Sequence, residues 1–184
     1  MSNRMIPVAV INPEANPESL EAKQPAIDNG AEVYAKDAYF SREQMAREWH
    51  KVWTESWLIA GVSADLAEVG DYFLFRVRSE SIIVTKAASG VKAFYNVCPH
   101  RGARLLTEER GNKKVFVCPF HSWSFRHDGT LRTITDEETF QDAVICHRPG
   151  LTPVACEEHA GLIFISMSDN PIPLKTAIGL PEGY

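Results

Sequence analysis

The sequence predicts a mostly β fold with antiparallel strands, a sandwich or small barrel, preceded by one short helix and an N-terminal arm. Three observations carry that reading. Short runs rich in β-branched and aromatic residues recur from Trp57 to Met167, turn residues separate them, and only one stretch shows helical spacing.

Residues 1–36 hold Pro7, Pro13, Pro17 and Pro25 among scattered Glu, Asn and Gln, with no sustained periodicity, and read as a flexible arm. Ser41 opens a helix predicted over 41–56. Ser41 and Gln44 fit a capping box, Phe40 and Met45 a hydrophobic staple, and Met45, Trp49, Val52 and Trp53 recur at helical spacing. This Trp and Met stripe is expected to pack into the core. From Trp57 the pattern becomes β: WLIAGV, YFLFRVR, SIIVTKA, VKAFYNV, KVFVC, LTPVAC and GLIFISM. Val69-Gly70-Asp71, Ser89-Gly90 and Asp128-Gly129 supply turns between them. The single domain is placed at 37–167, and residues 168–184 read as a linker leaving it.

Composition narrows the function classes. At 184 residues the chain holds one domain and an arm, and a net charge of -5 with a pI near 5.7 gives no footprint for nucleic acid or anionic lipid. The apolar stretch Met5–Ile11 is broken by Pro7 and lacks a small-residue cleavage site, and no run approaches the roughly 18 apolar residues that span a bilayer. A cytoplasmic protein with no membrane partner is expected.

The informative text is NVCPHRGARLL followed, after a short interval, by VCPFHSWSF. Each half offers one thiol and one imidazole on a Pro-containing loop directly after a β run: Cys98 and His100 on the first, Cys118 and His121 on the second. Two metals compete for such a set. Zinc takes two cysteines and two histidines tetrahedrally, usually with like ligands paired on one knuckle. Here each loop mixes the two types, which suits a two-iron centre with both cysteines on one iron and both histidines on the other. Cys146 and Cys156 read as ordinary thiols of a reducing compartment. His50, His127, His147 and His159 lack the company of ligands, and Glu108, Glu109 and Asp136-Glu137-Glu138 read as solvated loop charges.

Cys-Pro-His-Arg-Gly and Cys-Pro-Phe-His-Ser-Trp resemble the Rieske pattern. The stretch from Ser41 to about Met167 is similar to the N-terminal part of the alpha subunit of Rieske non-haem iron oxygenases, the aromatic ring-hydroxylating kind. The resemblance implies a Rieske-type β fold and a 2Fe-2S cluster. It places Cys98 and Cys118 on the iron that stays ferric, and His100 and His121 on the iron that changes valence. It also implies a ferredoxin or flavoprotein reductase as electron donor, and an oxygenase catalytic domain or subunit as acceptor. Arg101 and Arg104 flank the histidine side, where docking of partner carboxylates and ordinary surface ion pairs are both open readings.

Departures from the respiratory branch of the family are informative. That branch is tethered by a membrane helix and has a disulfide clamping its loops, at the positions of Ala103 and Phe120 here. It places a serine and a tyrosine at the positions of Trp123 and Phe125, donating hydrogen bonds to sulfur. Without those hydroxyls the potential is expected toward the lower end of the range of about -150 to +300 mV. The oxygenases activate dioxygen at a mononuclear Fe(II) held by two histidines and a carboxylate. No such spacing follows His121, so that iron is expected only in a catalytic domain absent from this sequence. The chain is therefore expected to relay electrons and not to be catalytically complete alone. A free-standing Rieske ferredoxin and a structural zinc module are the competing readings.

Overall fold

A computed structural model describes residues 36–135, 137–140 and 150–179. Cys146, His147, Asp136 and nearly all of the predicted arm lie outside them. The chain divides into two compact units, Met1–Ser41 and Arg42–Tyr184. Of the first, a 3-10 turn at Lys36–Tyr39 is described.

The second unit is built from antiparallel strands, as expected. They are β1 (Leu58–Val62), β2 (Asp71–Val77), β3 (Glu80–Ala87), β4 (Gly90–Tyr95), β5 (Arg110–Asn112), β6 (Phe116–Val117), β7 (Ser124–Phe125), β8 (Leu131–Thr133), β9 (Pro153–His159) and β10 (Leu162–Ser166). Seven form one sheet in the order β1-β10-β9-β4-β3-β2-β5, and β6-β7-β8 form a second. β2, β3 and β4 are consecutive antiparallel neighbours, so two tight turns fix their register, from Val77↔Glu80 to Ala87↔Gly90.

The central strands read as unbroken apolar runs because both of their faces are covered. On β2, Tyr72 and Leu74 point to one core while Phe73 points to another, and on β3 Ile83 opposes Ile82 and Val84 in the same way. The first core joins Phe94 of β4 to Phe116, Phe125, Trp123, Cys98 and Cys118, so it fastens the small sheet and the two cysteine loops onto the large sheet. The second joins Val154, Ile163 and Ile165 of β9 and β10 to the opposite faces of β2, β3 and β4. Each fully buried side chain of this kind contributes about 1.5–3 kcal/mol. The Cys loops are thus anchored at their bases by hydrophobic packing.

The helix starts close to its predicted place, as α1 (Arg42–Glu48), and continues as a π-helical turn at Trp49–Trp53. The Thr54 N–H donates to Trp49 O at 3.1 Å, the five-residue reach that widens this turn. The apolar stripe does not enter the core. Neither segment contributes a buried residue, and Met45 is 55 % exposed. Periodicity reports which face is apolar, and among the described residues that face lines a surface hollow with Val77 and Arg78 at the β2–β3 turn, where the Arg78 guanidinium lies 5.3 Å from the centre of the Trp49 ring. Past Met167 the chain stays attached. The Trp57 indole donates to Ile172 O at 2.8 Å, and a short helix α2 (Leu174–Ala177) buries Leu174. Among the described residues no helix is long and apolar enough to cross a membrane.

Candidate metal centre

The two motif loops have the same backbone hydrogen bonds. In the first, the Cys98 N–H donates to Ala103 O at 2.8 Å and the Gly102 N–H donates to Cys98 O at 2.9 Å. In the second, the Cys118 N–H donates to Trp123 O at 2.8 Å and the Ser122 N–H donates to Cys118 O at 3.0 Å. Closing either knuckle requires a left-handed residue four positions after the cysteine. Gly102 supplies it with φ 71°, and Ser122 adopts it with φ 58° at the cost of strain that glycine avoids.

This repeat sorts the side chains by type across the loops. The Cys98 and Cys118 thiols, 1 % and 2 % exposed, are buried in the same core cluster. The His100 and His121 rings, both half-buried, stand with centroids 4.8 Å apart at 59°. Burial pushes the Cys98 thiol above its ordinary range, and the neighbouring Cys118 sulfur adds a smaller push. Burial also lowers the pKa of His100, helped by the adjacent His121 and Arg101. Without a cation, therefore, burial favours the neutral thiol of Cys98 and the neutral imidazole of His100. A bound metal favours thiolate and keeps imidazole neutral.

Three buried side-chain nitrogens lack a hydrogen-bond partner among the described residues: His100 Nδ1, His121 Nδ1 and Trp123 Nε1. Buried polar atoms are almost always partnered, so the two bare imidazole nitrogens beside two buried thiols fit a metal group that completes them. No three or more His, Cys, Asp or Glu side chains among the described residues gather closely enough to hold a single ion. The donors come instead as a thiol pair and an imidazole pair, the arrangement that a two-iron cluster with segregated ligands needs.

Residues 56–148 match the family model of the Rieske [2Fe-2S] domain. The chain belongs to the Rieske family. Over 145 residues it is 38 % identical to the carnitine monooxygenase oxygenase subunit of Escherichia coli (strain K12), an alignment covering 77 % of this chain and 38 % of that one. Against the glycine betaine monooxygenase oxygenase subunit of Chromohalobacter salexigens it is 33 % identical over 140 residues, 76 % of this chain and 31 % of the relative. A solved quaternary ammonium Rieske monooxygenase superposes with a TM-score of 0.72 at 30 % identity, covering 77 % of this chain and 39 % of that one. Naphthalene 1,2-dioxygenase superposes with 0.71 at 28 %, covering 77 % and 32 %. The chain thus spans well under half the length of these relatives. The Rieske fold expected from the sequence is the fold observed.

Around the Rieske loops the structure adds residues that the motifs did not reveal. Asn96 is 1 % exposed and sits two residues before Cys98. Its amide donates to Leu106 O at 2.7 Å and Ser81 Oγ at 3.1 Å, and its carbonyl accepts from the Leu106 and Leu105 N–H groups at 2.9 and 3.1 Å. It ties the start of the first loop to its end and to β3. Trp123 stacks on His100 with centroids 4.6 Å apart and planes within 4°, and Phe140 meets both rings edge-on. Phe120 lies 59 % exposed against His121, centroids 3.9 Å apart. A cleft of about 350 Å³ opens over the histidine edge, lined by Arg101, Ser122, Thr135, Thr139 and Phe140 as well as both imidazoles.

His127 takes the structural place the sequence predicted for it. His127 Nε2 lies 2.7 Å from Lys113 O, and its ring packs edge-on against Phe116, which makes it a satisfied structural side chain. Glu108 and Glu109 pair with Lys113 and Arg76 at 3.3 and 2.7 Å on the surface. Cys156 is half-buried on β9, and its thiol is pushed up to about 12, chiefly by burial.

Proposed function

We propose that this chain is the electron-relay domain of a Rieske oxygenase, with Cys98 and Cys118 holding one iron of a 2Fe-2S cluster and His100 and His121 the other. The pairing of like donors across two identical knuckles, with both imidazole Nδ1 atoms bare and buried, carries the reading. The chemistry that a bound cluster supplies is reversible one-electron transfer, here between a ferredoxin or flavoprotein reductase and a mononuclear iron outside these residues.

The chain's own residues shape that relay. Cys98 and Cys118 lie in the core with Phe116, Phe125 and Trp123, so the thiol side is closed to water. The histidine side is open, because both imidazoles line the cleft. With Nδ1 used as ligand, each ring holds its proton at Nε2, where gain or loss of that proton can accompany the electron. Arg101 lines the same cleft and offers a guanidinium to partner carboxylates.

Relatives of similar likeness are named for carnitine, glycine betaine and methanesulfonate, and a structural neighbour for naphthalene. Substrate identity varies while this domain persists, so we assign it to residues outside the Rieske domain.

Anaerobic reductive titration of the purified chain, followed by visible absorption, tests the assignment. One electron per two irons is expected, and His100→Ala, His121→Ala, Cys98→Ala and Cys118→Ala should each remove the chromophore. A chromophore that survives all four substitutions would refute the ligand set.

A further inference from the structure

The three unpartnered buried nitrogens are not equivalent. An imidazole Nδ1 can ligate a metal, whereas an indole N–H can only donate a hydrogen bond. Trp123 is 2 % exposed, and its Nε1 has no acceptor among the described residues. A buried donor left so is costly, and native proteins seldom tolerate one without a reason.

Its surroundings restrict what the acceptor is. Trp123 packs in the core that contains both cysteine thiols, and it stacks within 4° of parallel on His100. An indole N–H lies in its ring plane, as does the Nδ1 lone pair of His100. The two therefore lie in nearly parallel planes a ring-stack apart, both buried and both unpartnered. Trp123 also follows the second knuckle directly, its carbonyl accepting the Cys118 N–H, so the indole is fixed to the cysteine loop through the backbone.

We propose that the Trp123 indole N–H donates a hydrogen bond to a sulfur of the bound cluster, either sulfide or cysteine thiolate. Trp123 is then a cofactor-tuning residue. The proposal rests on the electron-relay reading above. It also amends the expectation drawn from the motifs. The position that carries a serine hydroxyl in the respiratory branch keeps a donor here, in the form of an indole. Such a bond stabilises the more negative reduced cluster and so raises its potential. Stacking adds a second role, because the indole face limits rotation of the His100 ring.

Trp123→Phe separates the two roles, since phenylalanine keeps an aromatic face and lacks the N–H. With two irons and two sulfides retained, the variant is expected to show a lower midpoint potential than wild type in a spectroelectrochemical titration. Pulsed EPR of the reduced protein should also lose one exchangeable-proton coupling after transfer to deuterated buffer. A cluster-bearing variant with unchanged midpoint and unchanged coupling overturns the proposal. Should the variant fail to hold its cluster, wild-type chain labelled with indole-15N tryptophan decides it. A 15N coupling that does not come from histidine is expected, and its absence overturns the proposal. The other tryptophans, Trp49, Trp53 and Trp57, precede both knuckles in the chain and lie outside the core that holds the cysteines. A wild-type chain that takes up neither iron nor sulfide overturns the electron-relay reading itself, and the proposal falls with it.

Discussion

Replacing Asn96 with alanine removes the clamp at the base of the first cluster loop. Four hydrogen bonds are lost at a position 1 % exposed, and the backbone groups of Leu105 and Leu106 that they served lie in the core beside Cys98. Two N–H groups, one carbonyl and the Ser81 hydroxyl lose a partner. Each buried group left unsatisfied costs about 1–3 kcal/mol, and a water entering the vacated space recovers part of that. A net loss of about 3–5 kcal/mol follows. Urea unfolding of the cluster-loaded protein, monitored by far-ultraviolet circular dichroism and by the visible chromophore, measures it. Asn96→Asp keeps the acceptor for both N–H groups but loses the donor to Leu106 O and Ser81 Oγ and sets a carboxylate oxygen against the Leu106 carbonyl, so it should not restore wild-type stability. A loss below about 1 kcal/mol for alanine would refute the idea that this side chain holds the loop.

Other positions give independent checks. Gly129 has φ +82°, and a Cβ there would overlap the Phe94 ring, so Gly129→Ala should destabilise by about 3 kcal/mol or more, read as a fall in thermal midpoint. Ser122→Gly should act in the opposite direction, stabilising by about 1 kcal/mol with the cluster retained, because glycine adopts φ 58° without strain. The Cys156 thiol, raised from 9.0 to about 12, should resist iodoacetamide at pH 8–9 in the native protein and react in denaturant, as peptide mass mapping would show. The sign follows from the raised value. Folding favours the neutral thiol, so this group's contribution is intact below pH 9 and is lost as pH rises toward 12.

Much of this architecture was legible because the long strands have strong signals. The apolar runs of β2, β3 and β4, bounded by turn residues, could belong to little else, and the two Cys-x-His and Cys-x-x-His loops named their own chemistry. The elements that escaped are those with no local signal. β5 is Arg-Gly-Asn with every residue exposed, and β7 and β8 are two and three residues long, so their pairing comes from the loops packed beside them. The Met45, Val52 and Trp53 stripe is apolar yet exposed, since spacing says nothing about what stands opposite. Asn96 could not be recognised because its partners, Leu105, Leu106 and Ser81, are brought to it only by the fold. The stack of Trp123 on His100 likewise joins the two motif loops through space and leaves no mark in either motif alone.

Two cysteines and two histidines are proposed to hold a 2Fe-2S cluster. Iron, zinc and acid-labile sulfide per chain, measured on protein purified without oxygen, test it most directly. About two irons and two sulfides with no stoichiometric zinc are expected. Zinc without sulfide would contradict it and leave a structural metal module in its place.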